Sequence, residues 1–244
     1  GRSIRMLEKV GRTIGIWGDS ILKGVVFDDL KASYSLLKEN CVQIAARALG
    51  LTVVNRSRFG STVDKGRQLL EKALADGLDC DAVLLEYGGN DCDFDWVAVS
   101  ADPTGVHEPK APMPAFEGGL GDMIDMLRAR DIQPVLMSLP PIDGHRYLEF
   151  LIERGHLDRT NMMRFLGSSQ RIYQYQEAYS LAVTRLAHER KCLYVPVREE
   201  YLLRRSAEDL LCSDGIHPNE KGHALMQEIL TKSAAPRLLQ AANA

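Results

Sequence analysis

Four short polar stretches of this chain carry residue types that could together perform acyl transfer. Gly18-Asp19-Ser20 comes early, Gly60 and Gly88-Gly89-Asn90-Asp91 follow, and Asp214-Gly215-Ile216-His217-Pro218 lies near the end. Acyl transfer needs a nucleophile, a base that takes its proton, a group that orients the base, and donors for the developing oxyanion. The four stretches supply a candidate for each part.

Each candidate residue has the chemistry that one of these parts requires. Ser20 offers a hydroxyl nucleophile, and His217 offers an imidazole, which is substantially neutral at cellular pH. Asp214 precedes His217 by three residues and can accept a hydrogen bond from the other ring nitrogen. The side-chain amide of Asn90 and the backbone N–H groups of Gly60 and Ser20 can donate to an oxyanion. We expect Gly18 to let the chain turn sharply before Ser20.

The elements that must position these residues alternate between strands and helices. Short apolar runs rich in β-branched residues predict five strands, and longer amphipathic patterns between them predict five helices. The predicted strands cover 13–17, 52–55, 82–87, 133–138 and 192–197. The predicted helices cover 34–49, 63–76, 114–130, 169–190 and 220–232.

This alternation predicts a doubly wound parallel sheet with helices on both faces, an α/β protein of three layers. Ligands of such sheets bind outside the carboxyl ends of the strands. Each polar stretch follows a predicted strand, so we expect Ser20, Gly60, Asn90 and His217 to meet at one edge. Taken singly, each has an ordinary structural explanation, such as a helix N-cap for Ser20. Those explanations leave the convergence of four complementary groups unaccounted for.

Two segments, 92–113 and 142–168, are longer than plain connections require, and we interpret them as long loops. Such loops form either pocket walls or surface decoration. Their aromatic side chains could line a pocket or pin the loops to the core, and the sequence favours neither. These aromatics are Phe94, Trp96, Tyr147, Phe150 and Phe165. No domain boundary is evident, so we expect residues 1–244 to form a single domain.

Composition narrows the possible partners and the location of the protein. The formal net charge of −3 disfavours a broad nucleic-acid footprint, and no apolar run is long enough to predict a membrane span. No long apolar signal segment opens the sequence, so we expect a cytoplasmic protein.

The histidines and acidic residues lack metal-ligand spacing, and no phosphate-binding glycine motif follows a strand, so we expect neither a metal nor a cofactor. The five cysteines are scattered, and we expect them to be reduced. They are Cys41, Cys80, Cys92, Cys192 and Cys212.

The four stretches resemble the signature blocks of the SGNH hydrolases, also called the GDSL family. Gly18-Asp19-Ser20, Gly60, Gly88 to Asp91 and Asp214 to Pro218 stand in the family's order. The resemblance implies a flavodoxin-like three-layer α/β/α sandwich around a doubly wound parallel five-stranded sheet. It also implies that Ser20, Asp214 and His217 form a catalytic triad, and that Ser20, Gly60 and Asn90 form the oxyanion hole.

Two details refine this resemblance. The literal GDSL motif becomes GDSIL here, because Ile21 separates Ser20 from Leu22. The GxSxG motif of the α/β-hydrolase fold is absent around Ser20, which disfavours that other class of serine hydrolase.

We therefore predict a serine esterase that hydrolyses a carboxylic ester through an acyl-enzyme on Ser20. A short acyl (acetyl) ester of a carbohydrate or another small molecule is the first choice of substrate. Two alternatives stay open: a lysophospholipase or thioesterase acting on longer acyl chains, and a non-catalytic relative that binds carbohydrate or acyl groups. The sequence gives no indication of the oligomeric state.

Overall fold

The computed structural model describes residues 12–204 and 207–233 of the chain. The strands are β1 Thr13–Gly18, β2 Val25–Asp28, β3 Ser33–Leu36, β4 Thr52–Asn55, β5 Ala82–Glu86, β6 Gln133–Met137 and β7 Leu193–Val195. The α-helices are α1 Ser20–Lys23, α2 Cys41–Leu49, α3 Val63–Ala75, α4 Trp96–Ala101, α5 Met113–Arg128, α6 Gly144–Gly155, α7 Arg159–Leu166, α8 Gln170–Glu189, α9 Val197–Leu202 and α10 Glu220–Ser233. A 3₁₀ turn covers Ala207–Leu210.

Five of the strands form one parallel sheet in the order β4-β1-β5-β6-β7. Numbered among themselves along the chain, these strands have the order 2-1-3-4-5, which is the flavodoxin-like doubly wound arrangement. The order reverses between β1 and β5, where Gly18 is paired with Glu86. The predicted fold class is therefore confirmed, and each observed sheet strand lies within one or two residues of its predicted bounds.

Helices cover both faces of the sheet because successive strand residues point to opposite sides. Trp17, Val83 and Leu85 face α3, α5 and α8, whereas Ile16 and Leu84 face α2 and α10. The buried sheet residues are almost all apolar, as expected for strands covered on both sides. Glu86 is the exception, because its carboxyl group is fully buried at the end of β5.

The helix predicted over 34–49 is wrong in its first half. Residues Ser33–Leu36 form a strand that pairs with Val25–Asp28 in an antiparallel hairpin, and the helix begins only at Cys41. The Asn40 side chain caps this helix in a reciprocal capping box with Gln43. Because Asn40 and Gln43 are a sequence signature of a helix start, the pattern itself favours the later beginning.

The second long segment is mainly helical, which corrects its interpretation as a loop, whereas the first is a loop interrupted by one short helix. The first contains α4, and the second contains α6 and α7. Their apolar side chains, including Phe94, Trp96, Tyr147 and Met162, form a separate buried cluster with Ile172 of α8. A self-packed cluster of this kind holds the segments in place beside the carboxyl edge of the sheet.

Within residues 12–204 and 207–233, none of the helices combines the length and the apolarity that crossing a membrane requires.

Candidate active site

Ser20 lies at the carboxyl end of β1, as the first residue of the one-turn helix α1. The carboxylate of Asp19 caps this helix by accepting a hydrogen bond of 2.9 Å from the Ile21 N–H. Gly24 ends the turn with a φ of 87°. The strand and the capped turn together fix the Ser20 side chain at the edge of the sheet, where it is 6% exposed.

Gly18 is required for space rather than for an unusual backbone angle, which corrects our expectation of a sharp glycine turn. Its φ is not positive, unlike those of Gly24 and Gly60. A Cβ at Gly18 would lie 3.0 Å from Oε1 and 3.2 Å from the backbone oxygen of Glu86 on the neighbouring strand. A side chain at this position would therefore push β1 away from β5, directly before Ser20.

A continuous chain of hydrogen bonds links Ser20, His217 and Asp214. Ser20 Oγ lies 2.8 Å from His217 Nε2, and His217 Nδ1 lies 2.5 Å from Asp214 Oδ2. A carboxylate can only accept hydrogen bonds, so the proton of the neutral imidazole belongs on Nδ1 and leaves Nε2 free to accept from Ser20. This arrangement suits removal of the Ser20 proton by His217.

The turn that carries Asp214 and His217 is held by its own backbone. Asp214 Oδ1 accepts hydrogen bonds from the N–H groups of Ile216 at 3.0 Å and His217 at 3.1 Å. Burial alone would raise the pKa of Asp214, but the hydrogen bonds from His217 and the backbone outweigh it and hold the pKa below its ordinary value. Asp214 therefore stays ionised while fully buried.

Tyr34 provides a further contact to Asp214. Its hydroxyl donates a hydrogen bond of 3.1 Å to Asp214 Oδ2, the oxygen that also accepts from His217. Its ring meets the His217 ring edge to face, with the ring centroids 5.2 Å apart. Burial and the neighbouring Asp214 carboxylate raise the pKa of Tyr34, so the phenol keeps the proton that it donates.

The three expected oxyanion donors, Ser20, Gly60 and Asn90, line the same cavity. Gly60 adopts a left-handed φ of 72°, and its N–H, like that of Ser20, donates to no other group within the described chain. Asn90 Nδ2 lies 3.0 Å from the Ser61 backbone oxygen and 3.4 Å from Asp19 Oδ2. The longer of these two bonds is weak, so an oxyanion can compete with Asp19 for that hydrogen.

Asp91 ties together the two loops that carry Gly60 and Asn90. Its Oδ1 accepts a hydrogen bond of 2.8 Å from the Val63 N–H at the start of α3. Asp91 is fully buried, and burial raises its pKa to about 7 even though the Val63 bond opposes the rise. The contact therefore holds the turn of Asn90 against the loop that carries Gly60.

Asp19 and Glu86 form a buried pair of carboxyl groups beneath Ser20. Glu86 Oε1 accepts from the N–H groups of Asp19 at 3.4 Å and Leu22 at 3.3 Å. Burial and the adjacent Asp19 charge raise the pKa of Glu86 well above its ordinary value, and burial also raises the pKa of Asp19. Because like charges cannot both be accommodated there, we assign one shared proton to the pair, held mainly by Glu86.

The cavity beside Ser20 has a volume of about 240 Å³. Trp96, Tyr147 and Phe150, from the two long segments, line it, whereas Phe94 and Phe165 pack in the apolar cluster behind it. Trp96 and Tyr147 also belong to that cluster, so both sequence alternatives for these aromatics hold.

The structure thus brings together all five residues singled out from the sequence: Ser20, Gly60, Asn90, Asp214 and His217. Sequence reasoning missed Tyr34, which it placed in a helix, and Glu86. For Glu86 a signal existed, because it is a lone acidic residue at the end of a buried apolar strand. For Tyr34 no local signal exists, because its partner is 180 residues away.

The remaining candidate groups near this site are metal-binding side chains and cysteine thiols. In the part of the chain that the structure describes, no three His, Cys, Asp or Glu side chains are arranged to hold a metal ion. The thiols of all five cysteines are free. Of these, Cys92 lines the cavity, and burial raises its pKa well above the ordinary value.

Comparison with known proteins agrees with this fold. The model of the GDSL-like lipase/acylhydrolase family matches residues 16–225, which include every residue named above in the hydrogen-bonded chain and among the oxyanion donors. The chain belongs to this family, whose members are carboxylic ester hydrolases of the SGNH type with a catalytic triad and an oxyanion hole. A search of curated protein sequences finds no significant match.

Solved structures with the same fold include three esterases or lipases. A lipase/acylhydrolase from Enterococcus faecalis aligns with a TM-score of 0.65 at 17% identity, over 93% of this chain and 96% of that one. A psychrotrophic esterase from a Pseudoalteromonas species aligns with a TM-score of 0.59 at 17% identity, over 93% and 98%. An acetylxylan esterase from Geobacillus stearothermophilus aligns with a TM-score of 0.58 at 18% identity, over 93% and 94%.

Proposed function

We propose that this esterase hydrolyses a short-chain acyl ester, such as an acetyl ester, of a carbohydrate or another small molecule. The observation that carries the proposal is the hydrogen-bonded chain from Ser20 through His217 to Asp214, which opens into a small cavity. In this role Ser20 is the nucleophile, His217 the general base and Asp214 the group that orients it. Ser20, Gly60 and Asn90 supply the oxyanion hole.

The reaction runs in two balanced steps. In the first, His217 Nε2 takes the proton of Ser20 Oγ as this oxygen attacks the ester carbonyl, and the proton then passes to the departing alcohol. In the second, His217 takes a proton from water, the hydroxide attacks the acyl-enzyme, and Ser20 regains its proton as the carboxylic acid leaves. The oxyanion of each tetrahedral intermediate accepts hydrogen bonds from the Ser20 and Gly60 amides and from Asn90.

The size of the cavity favours a small ester over one with a long acyl chain. Its volume of about 240 Å³ lies below the roughly 300–1,000 Å³ typical of pockets that enclose drug-sized ligands. The aromatic walls also restrict the space, since α4, α6 and α8 surround it on one side. The acetylxylan esterase among the structural neighbours shares the fold and is compatible with this proposal.

Hydrolysis of p-nitrophenyl esters from acetate to long acyl chains tests the proposal, with the wild type and Ser20→Ala assayed in parallel. We expect cleavage that depends on Ser20 and falls steeply with chain length. A preference for long chains would instead favour the lysophospholipase or thioesterase alternative.

Labelling with a fluorophosphonate probe separates an enzyme from a non-catalytic relative. We expect wild-type protein to be labelled and Ser20→Ala to remain unlabelled. Ser213→Ala is a matched control, because Ser213 is an exposed serine near the triad whose hydroxyl donates to Asp29. A folded wild type that neither labels nor hydrolyses any of the esters would favour a binding protein.

We further propose that the described elements belong to one domain and that the protein is cytoplasmic. The first proposal is supported by the sheet, which draws strands from residue 13 to residue 195. The second is supported by the five free thiols, since a reducing compartment preserves them. Limited proteolysis and cell fractionation, respectively, are the direct tests.

A further inference from the structure

The wall of the cavity beside Ser20 is rich in aromatic side chains. Six aromatic side chains line the cavity, from five different parts of the chain. They are Tyr34, Phe59, Trp96, Tyr147, Phe150 and Tyr175. The faces of aromatic rings carry negative electrostatic potential, so rings that turn their faces to one space attract a cation there.

Asp93 adds a carboxylate to this aromatic wall. Its Oδ1 accepts a hydrogen bond of 2.8 Å from Trp96 Nε1, and its Oδ2 accepts one of 2.8 Å from the Tyr147 hydroxyl. These two donors orient the carboxylate but do not neutralise it. About a fifth of the side chain, 20%, stays exposed. Asp93 lines the cavity but takes no part in the hydrogen-bonded chain of Ser20.

The charges around the cavity are unbalanced toward the negative. The lining includes the acidic residues Asp19 and Asp93 but no lysine or arginine. Asp93 has a cationic partner in Lys110, whose Nζ lies 4.0 Å from Oδ2 and whose side chain is 48% exposed, so solvent screens it. Burial raises the pKa of Asp93, although the hydrogen bonds from Tyr147 and Trp96 and the charge of Lys110 oppose the rise.

Two arginines touch the aromatic set from outside the lining. The Arg154 guanidinium lies 5.5 Å from the ring centroid of Phe150, and that of Arg171 lies 5.2 Å from that of Tyr175. These contacts show rings of the set accepting cations on their faces. Tyr34, Phe59, Trp96 and Tyr147 have no such arginine among the described residues.

We propose that the wall of Asp93 and the aromatic side chains is a subsite for an organic ammonium group, carried by the alcohol portion of the ester substrate. The inference rests on the proposed function, since it names the class of ester that the same site takes. Asp93 supplies the countercharge, and the aromatic faces surround the ammonium and its alkyl groups. An uncharged alcohol of equal size gains only the apolar contacts.

A pair of isosteric esters tests this subsite directly. Acetylcholine and 3,3-dimethylbutyl acetate have nearly the same shape, but only acetylcholine carries a positive charge. We expect the wild type to hydrolyse acetylcholine with a kcat/KM at least about tenfold higher, as a desolvated cation–π contact assisted by a carboxylate would give. In Asp93→Asn this preference should fall at least about fivefold.

The variant Asp93→Asn is suited to the test because its amide can keep both contacts. Its oxygen can accept from Trp96 Nε1, and its NH₂ can donate to the Tyr147 hydroxyl. Asp95→Asn is the matched control, because Asp95 is exposed and its role is to cap α4, which asparagine also does. The control should keep the wild-type preference, and thermal unfolding should show both variants folded.

Binding of tetramethylammonium to Ser20→Ala protein, measured by calorimetry, tests the subsite without catalysis. We expect millimolar binding that Asp93→Asn weakens and Asp95→Asn leaves unchanged. Equal kcat/KM for the two esters, a preference that survives in Asp93→Asn, or no binding would overturn the subsite. Loss of p-nitrophenyl acetate hydrolysis in Ser20→Ala tests the esterase activity separately. If the ammonium subsite is refuted, the proposed esterase activity still stands. If the esterase activity is refuted, the tetramethylammonium binding result can still be interpreted.

Discussion

Tyr34 and Asp214 are joined by a hydrogen bond of 3.1 Å across 180 residues of sequence. The bond connects the β2–β3 hairpin to the turn that holds His217, so this hairpin is part of the site. Because Asp214 Oδ2 also accepts from His217 Nδ1, the phenol helps to keep the carboxylate ionised and in place.

Replacing Tyr34 with phenylalanine removes this donor and keeps the ring. We expect kcat/KM for p-nitrophenyl acetate to fall by about 3- to 10-fold, the kinetic equivalent of a modest hydrogen bond. The loss should grow as the pH is lowered from 6 toward 4, because the pKa of Asp214 rises without its donor. A ratio of variant to wild-type activity that stays constant with pH would leave Tyr34 with a purely structural role.

Tyr194→Phe provides the control for this experiment. The Tyr194 hydroxyl donates to Glu199 and contacts Thr184, and it lies outside the cavity. We expect this variant to keep the wild-type pH profile.

The role of Asn90 is tested by its alanine variant. Loss of one oxyanion donor typically costs about 10²–10³ in turnover, so we expect a fall of that size in kcat for Asn90→Ala with a much smaller change in KM. Asn161→Ala is the control, since Asn161 donates to the Ser100 backbone oxygen outside the cavity. A near-normal kcat would remove Asn90 from the mechanism.

Burial of Asp91 predicts a loss of stability as the pH rises. The native state raises the pKa of Asp91 from 3.8 to about 7, so the native protein holds a proton that the unfolded chain releases. The free energy of unfolding should therefore decrease between about pH 4 and pH 7, by a contribution of the order of 4 kcal/mol at most. Below pH 4 this contribution is fully present.

Asp91→Asn should abolish this particular dependence, because an asparagine does not titrate while its oxygen can still accept from Val63. Urea unfolding at pH 5 and pH 8 measures the difference, with Asp76→Asn at an exposed position as the control. If the wild type and Asp91→Asn lose equal stability over this range, Asp91 is ionised in the native state throughout.

The fold and the main site residues were predictable from sequence because their signals are local. Each sheet strand is a short apolar run, and the first three polar stretches follow a strand within a few residues, whereas Asp214 to Pro218 comes after α9 and a 3₁₀ turn. The order of β1 and β5 in a doubly wound sheet then brings Gly18 and Glu86 side by side without further information.

The remaining features depend on contacts between distant segments, which local patterns do not encode. The Ser33–Leu36 strand exists because it pairs with Val25–Asp28, and no strong alternation marks it in the sequence. The helices α6 and α7 were predicted as a loop because polar residues alternate with their apolar side chains and obscure the helical pattern. Those apolar side chains pack with Trp96 in a separate cluster. The countercharge of Asp93 likewise becomes visible only when the aromatic side chains assemble around it.

Glu86 supports the turn of Ser20 through a carboxyl group that must stay protonated. Two variants distinguish the effect of the shape of this group from the effect of its charge. In Glu86→Ala the N–H groups of Asp19 and Leu22 lose their acceptor, so we expect kcat to fall at least about tenfold as the Ser20 turn loosens. Glu86→Gln keeps an acceptor and mimics the protonated acid, and should stay within about threefold of the wild type at pH 7.

The two variants should also differ from the wild type in alkaline solution. As the pH rises, the wild-type pair loses its shared proton and two adjacent charges repel each other beneath Ser20, so its kcat should decline. Glu86→Gln has no such proton to lose and should keep its kcat to higher pH. A matching alkaline decline in Glu86→Gln would show that another group causes it, and a wild-type kcat in Glu86→Ala would show that the Ser20 turn holds without the pair.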